Sequence, residues 1–501
     1  MNKGFSTIDW IVLAFYLIAV VIIGGSFYGK QKSGKDYLLA GRRMSWFPIA
    51  ISIIATDLSA ISYMGIPALV YKHDLKYMLS AFLFPFQMAL VIIIFVPLLY
   101  RLNIYTAYEY LERRFNTSTR LLAACLFIGG RGAWLATMTF ATSVVLTEIT
   151  GINTYVAILI CGISTTLYTF LGGMEAVVWT DFMQFFVLLG GALAIALFIL
   201  FAYGWDVTRV WDVATATGHT TMFDFSLDPS REYTFWGMLI GLLVYQLSTY
   251  GTDQINVQRY FATKNLKQTI WAAAGSAMIL LPVLLLLYGI GIGFTAFYHD
   301  HADMRASLSS ADRVMPHFTV NVLPTGLRGL VIAGIFAATM SSMSSGINSL
   351  ATSTLKDLLE KMSRKIVDRE LFWARLISAF WGLAATAGAT LMVDLKLTIL
   401  ERFNSIYQFF AGPLVGIFLL GMLTTRASAW PVSAGAIVGF VATAASARWT
   451  SIHWLWYAPI GCLVTLVVGY LGSLFAPQQR SEEIKQYTLL GSRELSVKTS
   501  Q

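Results

Sequence analysis

The chain has 501 residues, of which 56% are hydrophobic and only 12% charged, with a mean hydropathy of +0.65. A water-soluble domain of this length cannot hide so much apolar surface, so a lipid environment is expected. The net charge of +8 does not point to nucleic acid, because the Lys and Arg residues fall between hydrophobic segments and form no patch with interleaved aromatics.

A span needs roughly 20 mostly apolar residues. In chain order such segments lie near 10–28, 46–71, 77–100, 119–149, 154–171, 176–204, 234–252, 269–297, 325–355, 371–393, 399–424, 429–447 and 453–476. The first is too long for a signal-peptide core and is followed by the basic run Lys30, Lys32, Lys35, so it is expected to stay as a helix. The fold class is therefore all-α, a polytopic membrane protein of about thirteen transmembrane helices. Residues 1–480 form one transmembrane domain with its core at about 46–424, and 481–501 form a polar, disordered tail. Lys and Arg collect between alternate segments, at 30–43, 101–120, 259–267 and 356–369, at Arg426 and beyond Arg480. By the positive-inside rule that face is cytoplasmic, which places the N-terminus outside and the C-terminus inside, in a plasma membrane.

Two spans carry polar interruptions at mid-membrane depth. One is Ala55-Thr56-Asp57-Leu58-Ser59-Ala60-Ile61-Ser62, and the other is Ser248-Thr249-Tyr250-Gly251-Thr252-Asp253-Gln254. They fall in spans one and six of a ten-helix core, as the broken helices of a five-plus-five inverted repeat would, with one extra N-terminal and two extra C-terminal helices around it. Backbone that leaves the helix in lipid must line a cavity or bind something, so a central site between these helices is expected.

Asp181 is a lone carboxylate within the fifth core span, where burial costs at least about 2.5–3.5 kcal/mol and needs compensation. The eighth core span holds Ser341, Ser342, Ser344 and Ser345 on one face. Clustered hydroxyls with a carboxylate are hard ligands suited to a cation such as sodium. Close helix packing through small residues is the bland alternative for the serines. Asp57 lies in the first interruption, where it could cap freed amides, join a sodium site or contact the solute. Arg131, in the third core span, needs an acceptor, either Asp57 or a solute carboxylate. Trp134, Tyr63, Gln246, Thr249 and Gln408 could stack on or hydrogen-bond a polar ligand. The six histidines show no metalloenzyme spacing and no phosphate-cradling glycine loop is present, so an enzyme is not expected. Gly172-Gly173 reads as a helix-end turn.

These residues resemble the sodium/solute symporter family, whose core looks like the LeuT-type fold. The likeness runs from Tyr37-Leu38-Leu39-Ala40-Gly41-Arg42 and Thr106-Ala107-Tyr108-Glu109-Tyr110-Leu111-Glu112 through Gly172-Gly173-Met174-Glu175 and Trp179-Thr180-Asp181. It continues through Thr252-Asp253-Gln254 and Val257-Gln258-Arg259-Tyr260 to the serine-rich span and Gly412-Pro413. The resemblance implies sodium-driven import of a small polar solute by alternating access. It also implies a first sodium site at the carbonyls of Ala55, Leu58 and Ala338 with the side chains of Ser341 and Ser342. A second site, found in some members, would map onto Asp181, Ser344 and Ser345, giving one or two coupling ions. Residues 59–67 are closest to the bacterial sialic acid branch, with Ser59 and Ser62 at positions that face the solute. Asp57 instead resembles the proline-transporting branch, and Arg131 stands about one turn before the Arg expected to hold a sialate carboxylate. The expected solute set is thus Asp57, Ser59, Ser62, Tyr63, Arg131, Gln246, Thr249 and Gln408, for a sialic acid or related sugar acid. A neutral sugar, an amino acid or a monocarboxylate are the alternatives. The expected partners are solute, sodium ions and lipid, without nucleic acid, and the protein is expected to act as a monomer. A membrane-embedded solute sensor is the rival of another class, disfavoured by the short tail after Phe475.

Overall fold

Lipid offers no hydrogen-bond partner to a peptide group, so these apolar segments close their backbone bonds internally and form helices. The computed structural model describes residues 5–308, 310–394, 400–477, 481–489 and 491. The principal helices are α1 (Thr7–Gly25), α2 (Trp46–Asp57), α3 (Ala60–Lys72), α4 (Leu79–Ile94), α5 (Thr117–Thr150) and α6 (Thr154–Ala202). They continue with α7 (Leu242–Gly251), α8 (Gln254–Ala262), α9 (Leu266–Asp300), α10 (Leu327–Ser353), α11 (Glu370–Asp394), α12 (Leu400–Leu423), α13 (Ala429–Trp449) and α14 (Tyr457–Phe475). Among the described residues nine helices are long and apolar enough to cross a membrane, or ten when α2 and α3 count as one bent span.

That number is lower than the count of apolar segments for physical reasons. α6 is a run of 49 residues that covers two expected segments, and Gly173 breaks it with φ 56° and ψ −150°. A Cβ there would meet the Tyr37 carbonyl at 2.4 Å, so both the left-handed backbone and the space demand glycine. The seventh segment is divided where residues 237–241 wind as a π-helix before α7, and for α12 the apolar stretch among the described residues is Tyr407–Leu423.

Both polar interruptions break their helices. α2 and α3 meet at 61°, where Leu58 leaves helical geometry (φ −76°, ψ 70°) and Ser59 restarts the helix by accepting the Ser62 amide. α7 ends at Gly251, and Asp253 caps α8 by accepting the Ile255 amide. The serine-rich α10 is the central element, 94% buried across its span, and packs chiefly on α6 with further contacts to α1, α2, α5 and α11. Small residues permit the close crossings: a Cβ on Gly162 would sit 2.2 Å from Thr386 Oγ1, and one on Gly382 would sit 2.2 Å from Thr166 Oγ1.

The stretch expected to begin a disordered tail differs. Residues Ser481–Lys485 are helical, Ile484 is buried, and the Tyr110 hydroxyl donates to the Tyr487 carbonyl at 3.1 Å. An apolar Ile and a buried donor therefore tie this segment to the body. Residues 490 and 492–501 of the tail lie outside the described residues.

Candidate functional site

The break after α2 frees carbonyls that α10 meets with hydroxyls. Ser341 Oγ donates to the Ala55 carbonyl at 2.7 Å and to that of Ala338 at 3.1 Å. Ser342 Oγ donates to Thr56 O at 2.9 Å and to Ala338 O at 3.1 Å. All five residues are buried. Ala55, Ala338, Ser341 and Ser342 thus meet in one dry oxygen cage, to which Thr56 adds a carbonyl that the sequence reading did not name. Leu58 sits buried in the break itself. Neutral oxygens in a small cage suit a hard monovalent cation.

A second cluster lies along the same face of α10. Asp181 Oδ2 accepts from Ser52 Oγ at 2.6 Å, and Asp181 Oδ1 from Ser344 Oγ at 3.5 Å. Ser345 Oγ is 2.8 Å from Thr56 Oγ1. Asp181, Ser344 and Ser345 therefore come together, but with a residue that sequence reasoning placed in a cytoplasmic loop. Arg259 of α8 donates through Nη2 to Asp181 Oδ2 at 3.0 Å and to Thr56 Oγ1 at 2.6 Å, and it also bonds Ser345 Oγ. Its signal was its position: six residues past a mid-membrane break, it had no room to reach water.

Between α3, α5, α7 and α12 lies a cavity of about 640 Å³. Asp57, Ser59, Ser62, Arg131, Gln246, Thr249 and Gln408 line it, together with Trp134, Tyr245, Asn256 and Tyr407. Tyr63 does not. It is wholly buried on the far face of α3, its hydroxyl 2.7 Å from where a Gly191 Cβ would stand. Ser59, Ser62 and Ile66 follow helical spacing along the cavity face, and Tyr63 falls outside that arc.

The partner of Arg131 also differs from expectation. Arg131 Nε donates to Asp253 Oδ2 at 2.6 Å, and the Tyr407 hydroxyl donates to the same oxygen at 2.6 Å. Asp57 forms no ion pair among the described residues. The acceptor lies instead at the second interruption, where Asp253 caps α8. Four buried atoms on the cavity wall, Gln246 Oε1, Thr249 Oγ1, Asn256 Oδ1 and Gln408 Oε1, have no protein partner among the described residues. Buried polar atoms are normally bonded, so these are groups held ready for a polar ligand. The amide of Asn256 donates to Thr249 O at 3.0 Å, which fixes its oxygen toward the cavity.

From this chamber the wall continues to Lys72, His73, Glu232, Asp312 and His453 on one face of the molecule. The opposite face is closed by ion pairs: Arg120 with Asp357 (2.7 Å) and Glu112 (2.5 Å), Lys361 with Glu112 (2.8 Å), and Lys356 with Glu370 (2.6 Å).

Two helices broken at mid-depth, a cation-sized cage and a polar chamber open to one side define a cation-coupled solute carrier. The chain belongs to the sodium:solute symporter family, whose profile matches residues 37–482. It is 30% identical to the sodium/sialic acid symporter NanT of Aliivibrio fischeri, covering 97% of this chain and 96% of that one. It is 31% identical to human sodium-coupled monocarboxylate transporter 1, covering 90% of this chain and 74% of the relative. The solved outward-open, substrate-bound structure of a Na+-coupled sialic acid symporter superposes with a TM-score of 0.88 at 28% identity, covering 95% of this chain and all of that one. The protein is a multi-pass, sodium-coupled transporter of the LeuT-type fold and not an enzyme.

Proposed function

We propose that this chain imports a sialic acid or a related sugar acid across the plasma membrane, driven by sodium. Arg131 carries the reading. Its Nε is taken by Asp253, whereas Nη1 and Nη2 have no protein acceptor among the described residues and stand at a sugar-sized cavity. A guanidinium end of this kind matches a carboxylate bidentately. The orphan oxygens of Gln246, Asn256 and Gln408 suit the many hydroxyl and amide donors of such a sugar. Similarity over nearly the full length of sodium/sialic acid symporters supports the same solute class.

Sodium binds first at Ala55, Leu58, Ala338, Ser341 and Ser342, and fixes the α2–α3 break against α10. The pre-formed cavity then takes the solute through Ser59, Ser62, Gln246, Thr249 and Gln408. Coupling is reciprocal, so the solute raises sodium affinity by the factor that sodium raises solute affinity. With the basic loops cytoplasmic, the N-terminus lies outside, the cavity faces outward, and the ion-pair face closes the cytoplasmic side. The carrier works as a monomer in the bilayer.

A second reading has its own observation. Asp57, which has no ion-pair partner among the described residues, adds a carboxylate to the same cavity, which favours a neutral sugar or a zwitterionic amino acid. Uptake into proteoliposomes separates the two. N-acetylneuraminic acid accumulating only with sodium outside is the expected result. Failure of that acid beside accumulation of a neutral sugar or amino acid overturns the solute, and accumulation without sodium overturns the coupling.

A further inference from the structure

The stretch between α6 and α7 carries a surface of inverted polarity that the transport site does not use. Residues 222–227 are not helical, and alternate side chains point to opposite sides. Met222, Asp224 and Ser226 turn toward the body of the protein, where Met222 packs on the core. Phe223, Phe225 and Leu227 turn outward, with exposures of 50%, 62% and 80%. A loop in water does the reverse, presenting Asp and Ser and hiding Phe.

Polar contacts hold this orientation. Phe235 N donates to Asp224 O at 2.7 Å, and Ser226 N donates to Asp224 Oδ1 at 3.0 Å. Asp224 Oδ2 lies 3.8 Å from Arg231 Nη1 and 3.9 Å from Lys76 Nζ. Turning the strip over would break these contacts, so the apolar face is a built surface.

That face runs without a gap into one that meets lipid. Phe223 stacks on Phe225 with ring centroids 5.9 Å apart and planes at 9°. Phe225 meets Phe235 at 5.1 Å, and Phe235 meets Trp236 edge-on at 5.2 Å. Trp236 stands at the start of the span that leads into α7, and it is exposed together with Ile240 about one turn further on. Leu197 and Phe201 are exposed in the same way along the outer face of α6. Large apolar groups exposed on a membrane span face acyl chains, and the strip continues that surface past the end of the span, at the depth where aromatic side chains collect. In water it would be a contiguous apolar patch.

We infer that residues 222–227 lie at the boundary between headgroups and acyl chains, in the leaflet on the side where the cavity opens, with Phe223, Phe225 and Leu227 as membrane anchors. The occupant of this surface is lipid. A few residues further on, Glu232 and Tyr233 line the cavity, and the Tyr233 ring meets those of Tyr77 at 5.2 Å and His453 at 5.4 Å. The strip therefore ties the rim of the cavity to the bilayer surface.

Fluorescence quenching in the full chain tests it. Cys161 and Cys462 are buried, so a C125S background leaves F225C as the accessible thiol. With an NBD label there and reconstitution into phosphatidylcholine vesicles, the expected result is blue-shifted emission. Phosphatidylcholine bearing a nitroxide near its headgroup should quench it, and aqueous iodide should not. A label at D228C, beyond the apolar strip, should show the opposite preference. Equal quenching by iodide at both positions overturns the inference. A label at 225 shielded from both quenchers, with F225C thiols joining chain to chain in the membrane, also overturns it and makes a second copy the occupant. Where F225C does not reconstitute, L227C carries the label under the same criteria. None of these readouts depends on the solute or on sodium.

Discussion

Arg131 and Asp253 are joined through a single nitrogen, Nε to Oδ2 at 2.6 Å, rather than through the fork. Asp253 is fully used: Oδ2 also accepts the Tyr407 hydroxyl at 2.6 Å, and Oδ1 accepts the Ile255 amide at 2.9 Å. The guanidinium is further held by the ring of Tyr407 at 3.9 Å and of Trp134 at 4.8 Å. A side-on anchor with aromatic walls fixes the direction of the remaining N–H groups before any solute arrives, which lowers the ordering cost of binding.

Replacing Arg131 by Gln should therefore weaken uptake of an acidic solute. A hydrogen bond to a charged group contributes about 1.5–3 kcal/mol, which corresponds to a roughly 10- to 150-fold rise in KM. Lys keeps the charge but not the fork and should recover only part of the loss. The check is KM for N-acetylneuraminic acid uptake in proteoliposomes. Equal losses for neutral sugars would show that Arg131 supports structure rather than the carboxylate.

Ser341→Ala and Ser342→Ala each remove one hydroxyl from the first cage and leave its carbonyls in place. Each should raise the half-saturating sodium concentration by about tenfold, or roughly 1.4 kcal/mol. Sodium should also raise the melting temperature of wild type over potassium, since a ligand of the folded state stabilises it, and the double variant should lose that increment. A sodium-dependent shift of undiminished size in S341A/S342A would place the ion elsewhere.

With one sodium ion per cycle, a monoanionic solute moves with no net charge. Each unbalanced charge gains about 2.3 kcal/mol per 100 mV, a factor of about 50 in accumulation. Accumulation of such an acid under a potassium diffusion potential set with valinomycin therefore counts the ions, and no change with potential means one. A strong dependence on potential would require a second ion.

On the closed face, Glu112 accepts from Lys361 Nζ at 2.8 Å, Arg120 Nη1 at 2.5 Å and Thr117 Oγ1 at 2.8 Å. Burial works to raise its pKa, but these donors together outweigh it and hold the carboxyl down to about 2. The folded value lies below the ordinary carboxylate range near about 4.3. The stabilisation is therefore complete above that range and is lost as pH falls through about 2. Glu112→Gln should lower the melting temperature at neutral pH, and its difference from wild type should shrink only on strong acidification. A difference that vanished already near pH 6 would contradict this.

The features legible in the sequence were those that break a local rule. Polar runs inside apolar segments exposed both helix interruptions, and serines at helical spacing exposed the cage face of α10. Asp181 stood out because a carboxylate in an apolar span needs a partner. What stayed hidden was pairing between helices. Arg131 was paired with Asp57 or a solute carboxylate, and Asp253 was not considered because its distance from Arg131 is set by tertiary structure rather than by local sequence. Arg259 was counted among loop charges because the chain turns basic there, with Lys264 and Lys267 close behind. Tyr63 was expected to stack on or hydrogen-bond the solute, yet it follows Ser62 by one residue, a turn of about 100° that carries its side chain off the cavity.

The 61° bend between α2 and α3 has an electrical meaning beyond its shape. The C-terminal end of α2 is the negative pole of one aligned stack of peptide dipoles, and the N-terminal end of α3 is the positive pole of another. Both poles meet across two residues, Leu58 and Ser59. A metal ion is drawn to one side of this junction and an acid group to the other, so salt-like pairs of opposite sign are favoured where an unbroken helix would present neither pole.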